Sequence, residues 1–270
     1  MNTILTALFL ALSVNAAIGQ GNATGVLQSG EELQYKVKWN FLRLGTITLK
    51  TVRDTSSADS VFYRLTNVVK SNPTLVFVRL RETNESLVSA NDLHTRRYRG
   101  THCSSSETWE ISYAYDAVHR LAFCREKELR SGHIEYDDTL QNVPPFVEGA
   151  SLLVYARCKS HSGKAYGIPT MVGGQLHKTR LDFSLTTEDI DVDGIDYTVR
   201  SQKFAGSADW RGGSSAGLGG DFTGWVSDDA AAVPLRAEMK ILLGSITIEL
   251  EKWTRPGWVP PSTIRTASTR

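Results

Sequence analysis

The chain has almost no excess charge of either sign: its 270 residues carry 30 Lys and Arg against 29 Asp and Glu, a formal net charge of +1 at pH 7. That balance offers no electrostatic ground for nucleic acid or a strongly anionic membrane as the main partner. Long apolar runs are missing too. The longest uncharged apolar stretch, Ile4 to Val14, has 11 residues, well short of the ~20 that a spanning helix needs. Cysteine is scarce. Cys103, Cys124 and Cys158 are never spaced as CxxC, so neither a thiolate zinc site nor a thioredoxin-like redox pair is supported. At most one intramolecular disulfide can form among them, with its pairing open; three half-buried apolar thiols are an equal reading. The six histidines, at 94, 102, 119, 133, 161 and 177, never fall at H-x-H or H-E-x-x-H spacing, and nothing singles out a zinc-hydrolase ligand set. Composition is ordinary, 41% hydrophobic and 22% charged, which argues against disorder, a coiled coil or collagen-like repeats.

What the chain does have begins at its start. Small residues follow the 11-residue apolar run, with Val14-Asn15-Ala16 and Ala17-Ile18-Gly19 both suited to signal-peptidase cleavage. A secretory signal over residues 1–19 is expected, with a single β-rich domain over 26–255 and a flexible tail over 256–270. No cysteine stands near the cut, which argues against a lipoprotein, and no later segment predicts a transmembrane span.

Period-two alternation dominates the rest. Leu33, Tyr35, Val37 and Trp39 alternate with Gln34, Lys36 and Lys38, the mark of a strand with one buried face. The pattern recurs at Trp109–Tyr115, Leu181–Leu185, Ile195–Val199, Leu235–Ile241 and Ile246–Leu250. Turn residues separate the runs, among them Asp116-Ala117, Asp193-Gly194 and Leu243-Gly244. Leu44–Leu49 and Leu243–Ile248 look alike, and each glycine reads as a hairpin corner. One segment breaks the period: after Pro144-Pro145, apolar residues at 147, 150, 153, 154 and 158 predict a helix of about three turns. Gly212 to Gly220 reads as a glycine-rich loop. The expected fold is mainly antiparallel β, one curled barrel, half-barrel or sandwich with one short helix, because a sheet this long must close or fold to protect its edges.

Two stretches resemble a bacterial family of exported proteins of unknown function. Gly30-Glu-Glu-Leu-Gln-Tyr-Lys-Val-Lys-Trp39 is similar to its opening G-E-x-L-x-Y-x-V-x-W strand. Gly224-Trp-Val-Ser-Asp-Asp229, Val233-Pro-Leu-Arg-Ala-Glu238 and Gly244-Ser-Ile-Thr-Ile-Glu249 resemble its closing W-x-S-D-D turn, P-x-R-x-E strand and G-S strand. The helix around Ser151 to Arg157 looks like its middle helix, which ends near an arginine. Ala230-Ala231-Ala232 stands where the family usually has charges. The resemblance implies an exported, periplasmic β-rich domain and supplies no catalytic residue. Trp225, Ser227, Asp228, Asp229 and Arg236 are the candidate turn, functional or structural.

Other motifs are weaker. Gly213-Ser-Ser-Ala-Gly217 matches the nucleophile-elbow spacing but lacks the strand and helix that would hold the serine still. Asp189, Asp191, Asp193 and Gly194 open like a calcium loop, yet position twelve is Arg200 rather than a carboxylate. A two-residue hairpin turn is the better reading, with a weak calcium site at Asp191, Asp193 and Asp196 left open. Arg79, Arg81, Arg96, Arg97 and Arg99 are the basic concentration, read mainly as solvated strand faces with an anionic contact as the alternative. Asp228 and Asp229 could share a proton as glycosidase acids do, but adjacent strand residues face opposite ways and a turn is favoured. The expected function is non-catalytic binding of an apolar or amphipathic small molecule or envelope partner, without a cofactor or metal. The alternatives are a hydrolase of envelope glycan or lipid and an assembly factor without a pocket.

Overall fold

The computed structural model describes residues 23–55, 60–75, 80–104, 106–183, 186–209, 220–241 and 244–262. The expected signal (1–19), the elbow-like Gly213–Gly217, Arg79 and Leu185 lie outside them, as does the tail beyond 262.

Among the described residues the alternating segments form 15 strands. The first eight are β1 (Glu31–Trp39), β2 (Leu42–Asp54), β3 (Phe62–Ser71), β4 (Arg81–Ser89), β5 (Thr95–Cys103), β6 (Thr108–Asp116), β7 (Leu121–Glu128) and β8 (Ile134–Leu140). The other seven are β9 (Ala165–Val172), β10 (Gln175–Asp182), β11 (Thr187–Ile190), β12 (Val199–Ala208), β13 (Gly220–Ser227), β14 (Pro234–Ile241) and β15 (Gly244–Thr254). A single turn, α1 (Ala23–Val26), precedes them, and the predicted helix is α2 (Gly149–Lys159). Every strand pairing is antiparallel. The order β8-β7-β6-β5-β4-β3-β2-β1-β15-β14-β13-β12-β10-β9 makes one sheet, which places β8 and β9 at its edges, unpaired with each other. Of the curled barrel, half-barrel or sandwich expected from the alternation, what forms is one mainly antiparallel sheet that is curled and unclosed. Between the edges runs Val143–Val147. Val147 N–H donates to Pro169 O at 3.0 Å and Met171 N–H donates to Val147 O at 2.8 Å, covering part of the β9 edge.

Helix α2 starts at Glu148, whose carboxylate accepts from the amides of Ala150 and Ser151, each at 3.2 Å. Ser151 Oγ accepts from the Glu148 amide at 2.8 Å, so the first turn's orphan donors are satisfied reciprocally. The helix lies within the curl at one end. On one side Ala150 and Val154 pack with Tyr63, Leu65, Val88 and Leu93; on the other Ala156 packs with Ile168, Leu181, Phe183 and Phe204. The space left between the helix and β1–β3 is about 20 Å³, room for about one water. This end is a filled floor.

Several local expectations change. Asp193-Gly194 is a turn, with Gly194 at φ +87°, but β12 begins only at Val199, so residues 191–198 are a longer loop rather than a two-residue hairpin. Asp193 is not among the positive-φ residues, which fits a type II turn and not type I′. The loop folds back over the outer face and buries Glu249, which the alternation of Ile246, Ile248 and Leu250 leaves on the polar side of β15. This residue is 2% exposed, with the Asp193 amide donating to it at 2.8 Å and Arg236 and Lys38 at 3.6 and 3.3 Å. Gly45 is no corner: it lies inside β2, where a Cβ would sit 2.2 Å from the Lys70 carbonyl oxygen. The tail expected to be loose from 256 is docked in its described part. Arg200 N–H donates to Pro261 O at 2.9 Å, Tyr197 OH donates to Pro260 O at 2.9 Å, and Trp258 packs edge-on against Trp253. The three cysteines are free thiols, Cys124 on β7, Cys158 on α2 and Cys103 at the end of β5.

Candidate functional site

Burial along the inward face falls from one end of the sheet to the other. On β1, Leu33 and Tyr35 are buried while Val37 and Trp39 are only partly so; on β3, Leu65 is buried while Asn67 and Val69 are partly exposed. On β4 the series is Ser86, then Asn84 and Glu82; on β15 it is Leu250, then Ile248 and Ile246; on β14 it is Leu235, then Ala237 and Met239. Strand register puts each series on one face. The curled sheet is therefore a cup. Its floor is packed around α2 and its opposite half is accessible.

The floor is pinned by a buried ion cluster. Arg157, near the end of α2, donates to Glu31 Oε1 at 2.7 Å and Oε2 at 3.0 Å, with side chains 3% and 1% exposed. Its remaining donors go to the carbonyls of Ala232 (3.1 Å), Ala231 (3.1 Å) and Val26 (3.0 Å). Arg255 also pairs with Glu31 and donates to Val26 O at 2.9 Å. Burial opposes the Arg157 charge, but Glu31 outweighs it and holds the guanidinium above its ordinary value. Each nitrogen of the fork has an acceptor, which is the condition under which a buried charge is tolerated.

The candidate turn residues lie beside this cluster and at the outer face. Asp229 Oδ1 accepts from Ser227 Oγ (2.8 Å) and the amides of Ala231 and Ala232 (both 3.0 Å), and its Oδ2 accepts from Trp258 Nε1 at 2.8 Å. Ser227 Oγ in turn accepts from the Val233 amide at 2.8 Å. Asp228 accepts from Arg200 Nε at 2.8 Å and contacts His161 Nε2 at 3.2 Å. Burial raises its pKa, but these two partners outweigh burial and leave it low. The two acids thus have separate partners and are not brought together as an acid–base pair. Trp225 faces outward, its Nε1 donating to Glu188 at 3.1 Å while Lys203 lies 5.3 Å from the ring centre. Arg236 donates to the Asp191 carbonyl and holds the loop over β14.

The accessible half of the cup carries a group of side chains with no motif in the sequence. On the inward register of β4–β8 stand Glu82, Asn84, Tyr98, His102, Glu126 and Tyr136. His102 Nδ1 is 2.8 Å from Glu82 Oε1. Tyr98 stacks on Tyr113 at 5.1 Å and lies over Gly100, where a Cβ would come within 2.5 Å of the Tyr98 hydroxyl and 2.6 Å of Asn84 Oδ1. Only glycine leaves that space. The Gly174 amide, at the β9–β10 turn, donates to Tyr113 OH at 3.3 Å. Burial raises the Glu126 carboxyl above its usual range; the Tyr136 hydroxyl beside it offsets part of this and Glu135 adds to it. Burial likewise pushes Tyr113 up to about 12. Asn67 Oδ1 and Tyr136 OH are buried with no hydrogen-bond partner, a cost that native interiors seldom leave standing. Outside the cup, an open hollow of about 540 Å³ runs along β10–β14, where Arg180 and Asp182 pair at 3.0 Å.

The chain matches, over residues 34–251, a protein family described as of unknown function, DUF3108. The chain belongs to this family. Among solved structures it is similar to a β-barrel-like protein of a domain of unknown function, DUF1849, from Brucella abortus. That likeness has 9% identity and a TM-score of 0.50, covering 84% of this chain and 98% of the other. A protein from Bacteroides fragilis, provisionally described as exported and with a YmcC-like fold, aligns at 9% identity over 85% of this chain and 97% of that one, with a TM-score of 0.32. No curated protein matches the chain in sequence. The Brucella likeness supports a β-barrel-like fold for this DUF3108 chain. Neither description names an activity.

Within this family member, three of the segments that carry the resemblance meet at the floor. Glu31 of the opening strand, Arg157 of the helix and the turn after Asp229 share one set of hydrogen bonds. The alanines at 230–232 bring two carbonyls to Arg157, so the turn works here through its backbone. The other candidates disperse. Asp193 pairs with Lys36 and Lys38, and Asp191 takes a bond from Thr198 at 3.2 Å, so no calcium loop is assembled from them. Among the described residues no group of three or more His, Cys, Asp or Glu is placed to hold a metal. Of the arginines, Arg96 pairs with Asp92 and Arg99 with Glu110. No helix of the described residues is long and apolar enough to cross a membrane.

Proposed function

We propose that this protein is an exported envelope component that holds an amphipathic small molecule in the accessible half of the cup. The observation that carries the reading is the fall in burial along the inward face from floor to rim. Val37, Ile47, Val69, Met239 and Ile248 keep apolar surface accessible, and apolar surface left in contact with water favours an occupant by about 25 cal/mol per Å² covered. The polar side chains of β4–β8 occupy the opposite wall, as a ligand with two chemically distinct ends requires. The apolar run at residues 4–14 followed by small residues supports export, and N-terminal sequencing of the mature protein tests it: an intact Met1 refutes it.

The neutral fluorophore N-phenyl-1-naphthylamine tests the cup. It should bind saturably, one per chain, with enhanced emission. Val69→Trp, which fills the accessible half, should abolish that signal without lowering the melting temperature. No saturable binding by the wild type, or binding unchanged in Val69→Trp, refutes the reading and favours a purely structural role.

A further inference from the structure

We propose that the polar end of the ligand is a cation, so that the cup selects an amphiphile with an ammonium head over one with a carboxylate or phosphate. This rests on the ligand-binding reading above.

The case begins with where the charges of each strand fall. On β4–β8 the basic residues Arg81, Arg97, Arg99, Arg125 and Lys127 occupy outward register positions, paired across strands with other outward residues. The inward register positions of the same strands carry Glu82, Glu126, Glu128 and Asp138, with His102 as the one basic side chain in register among them; Arg96, at the β5 bulge, is held by Asp92. Across the cup, the inward positions of the accessible half are Val37, Ile47, Val69, Phe222, Met239 and Ile248, which contribute no charge. An anionic head would therefore be desolvated against carboxylates with no lysine or arginine to meet it. Coulomb repulsion is several-fold stronger in a partly enclosed site than in water.

The acceptors also converge. Glu128 is spent on its own turn, taking the Ser131 hydroxyl at 2.7 Å and the Thr108 amide at 3.2 Å. Glu82 is shared with His102. Glu126 remains, and among the described residues it has no ion pair. Strand register sets Glu126, Ile111, Gly100 and Asn84 in one row across β7 to β4, with Glu82 two residues along from Asn84, and the Tyr98 hydroxyl lies over that glycine by Asn84 Oδ1. Two carboxylates, an amide oxygen and the stacked Tyr98–Tyr113 pair thus line one short stretch of wall. Aromatic faces beside carboxylates attract a cation by ring quadrupole and by charge together. Asn67 Oδ1, an acceptor without a donor, stands opposite Asn84 on the next strand and could take an ammonium N–H. This is more than a run of acids: it pairs a carboxylate without an ion pair and an amide oxygen without a donor with rings and an apolar trough.

Calorimetric titration of the intact mature protein with dodecylammonium, dodecanoate and dodecyl maltoside, each below its micelle concentration, tests the inference. Dodecylammonium should bind at least about tenfold tighter than either of the others, the effect of one additional favourable charge contact. In Glu126→Gln, an isosteric change, that preference should shrink to about threefold or less while dodecyl maltoside affinity stays the same. Equal or tighter binding of dodecanoate or of the maltoside overturns the cation inference and leaves the ligand reading standing. If none of the three binds, the ligand reading fails as well. A Glu126→Gln protein that keeps the full preference refutes the assigned residue even if it melts normally.

Discussion

Replacing Arg157 with methionine should be among the most damaging single changes in the molecule. The side chain is 3% exposed and makes five hydrogen bonds, two to Glu31 and three to main-chain carbonyls. Methionine keeps much of the stem's packing, so the loss is chiefly polar. Removing one partner of a buried ion pair costs about 3–5 kcal/mol, because the other charge stays buried. Here Arg255 still neutralises Glu31 and still serves Val26 O, which places the pair at the lower end. The carbonyls of Ala231 and Ala232 lose this donor, at roughly 1–3 kcal/mol for each group left unsatisfied. The sum is about 5–9 kcal/mol, a large share of the ~5–15 kcal/mol that holds a domain folded. Urea unfolding followed by circular dichroism should show the midpoint falling with little change in slope. Arg157→Lys, which keeps the charge but cannot span all the acceptors, should lose about half as much. In a double-mutant cycle, Glu31→Gln and Arg157→Met should be strongly non-additive. A loss below ~1 kcal/mol for Arg157→Met would mean that the cluster behaves as a surface pair and that the floor is not closed.

Three further outcomes follow from the same geometry. Glu126→Gln should stabilise the protein at pH 7 and have little effect at pH 3. A carboxyl whose pKa is raised in the fold contributes stability below its unfolded pKa that is lost as pH rises through the folded value, and glutamine removes that loss; equal melting temperatures for wild type and variant at pH 7 would contradict this. Gly194→Val should destabilise by about 1–2 kcal/mol or more, since φ is +87° there, while Asp191→Ala, which removes one exposed bond to Thr198, should stay within about 0.5 kcal/mol; matching shifts in thermal melts would refute the turn. Glu249→Ala should cost about 2–3 kcal/mol, because it strips the Asp193 amide, Lys36, Lys38 and Arg236 of a buried acceptor. That should equal or exceed the loss from Ile248→Ala at a half-buried site, and chemical denaturation showing the reverse would put the loop off the sheet.

The fold was legible because period-two alternation is local: Leu33, Tyr35 and Val37 announce a face without knowledge of its partner. Helix α2 was legible for the same reason, from apolar spacing behind Pro144-Pro145. Alternation does not say what lies against the other face. Glu249 and Lys36 sit at polar positions and read as solvated, yet the 191–198 loop buries both, and a polar residue beneath a loop looks the same in sequence as one in water. The tail misled similarly, since its prolines suggested looseness while Tyr197, Arg200 and Asp229 supply distant anchors. The candidate turn was found through resemblance, and its contacts place it beside Arg157 and the outer loop. The wall formed by Glu82, Tyr98, His102 and Glu126 was missed, because its members come from β4, β5 and β7 with no shared spacing. A signal was present in the inward-facing polar residues of strands whose outward positions are also polar, a pattern that a filled barrel would not tolerate.

The central claim is a cup with a closed floor and an accessible upper half, and cysteine accessibility measures it most directly. Val69→Cys and Leu65→Cys lie on the same face of β3, two residues from the equivalent position of Asn67 between them, with Leu65 4% exposed and Val69 partly so. Each variant is treated with a small neutral alkylating reagent in the folded state, and modification is read peptide by peptide by mass spectrometry. The introduced thiol at 69 should react readily and that at 65 should stay unmodified until the protein is unfolded. Protection of both positions would mean a filled interior and would contradict the account, as would equal reactivity at both.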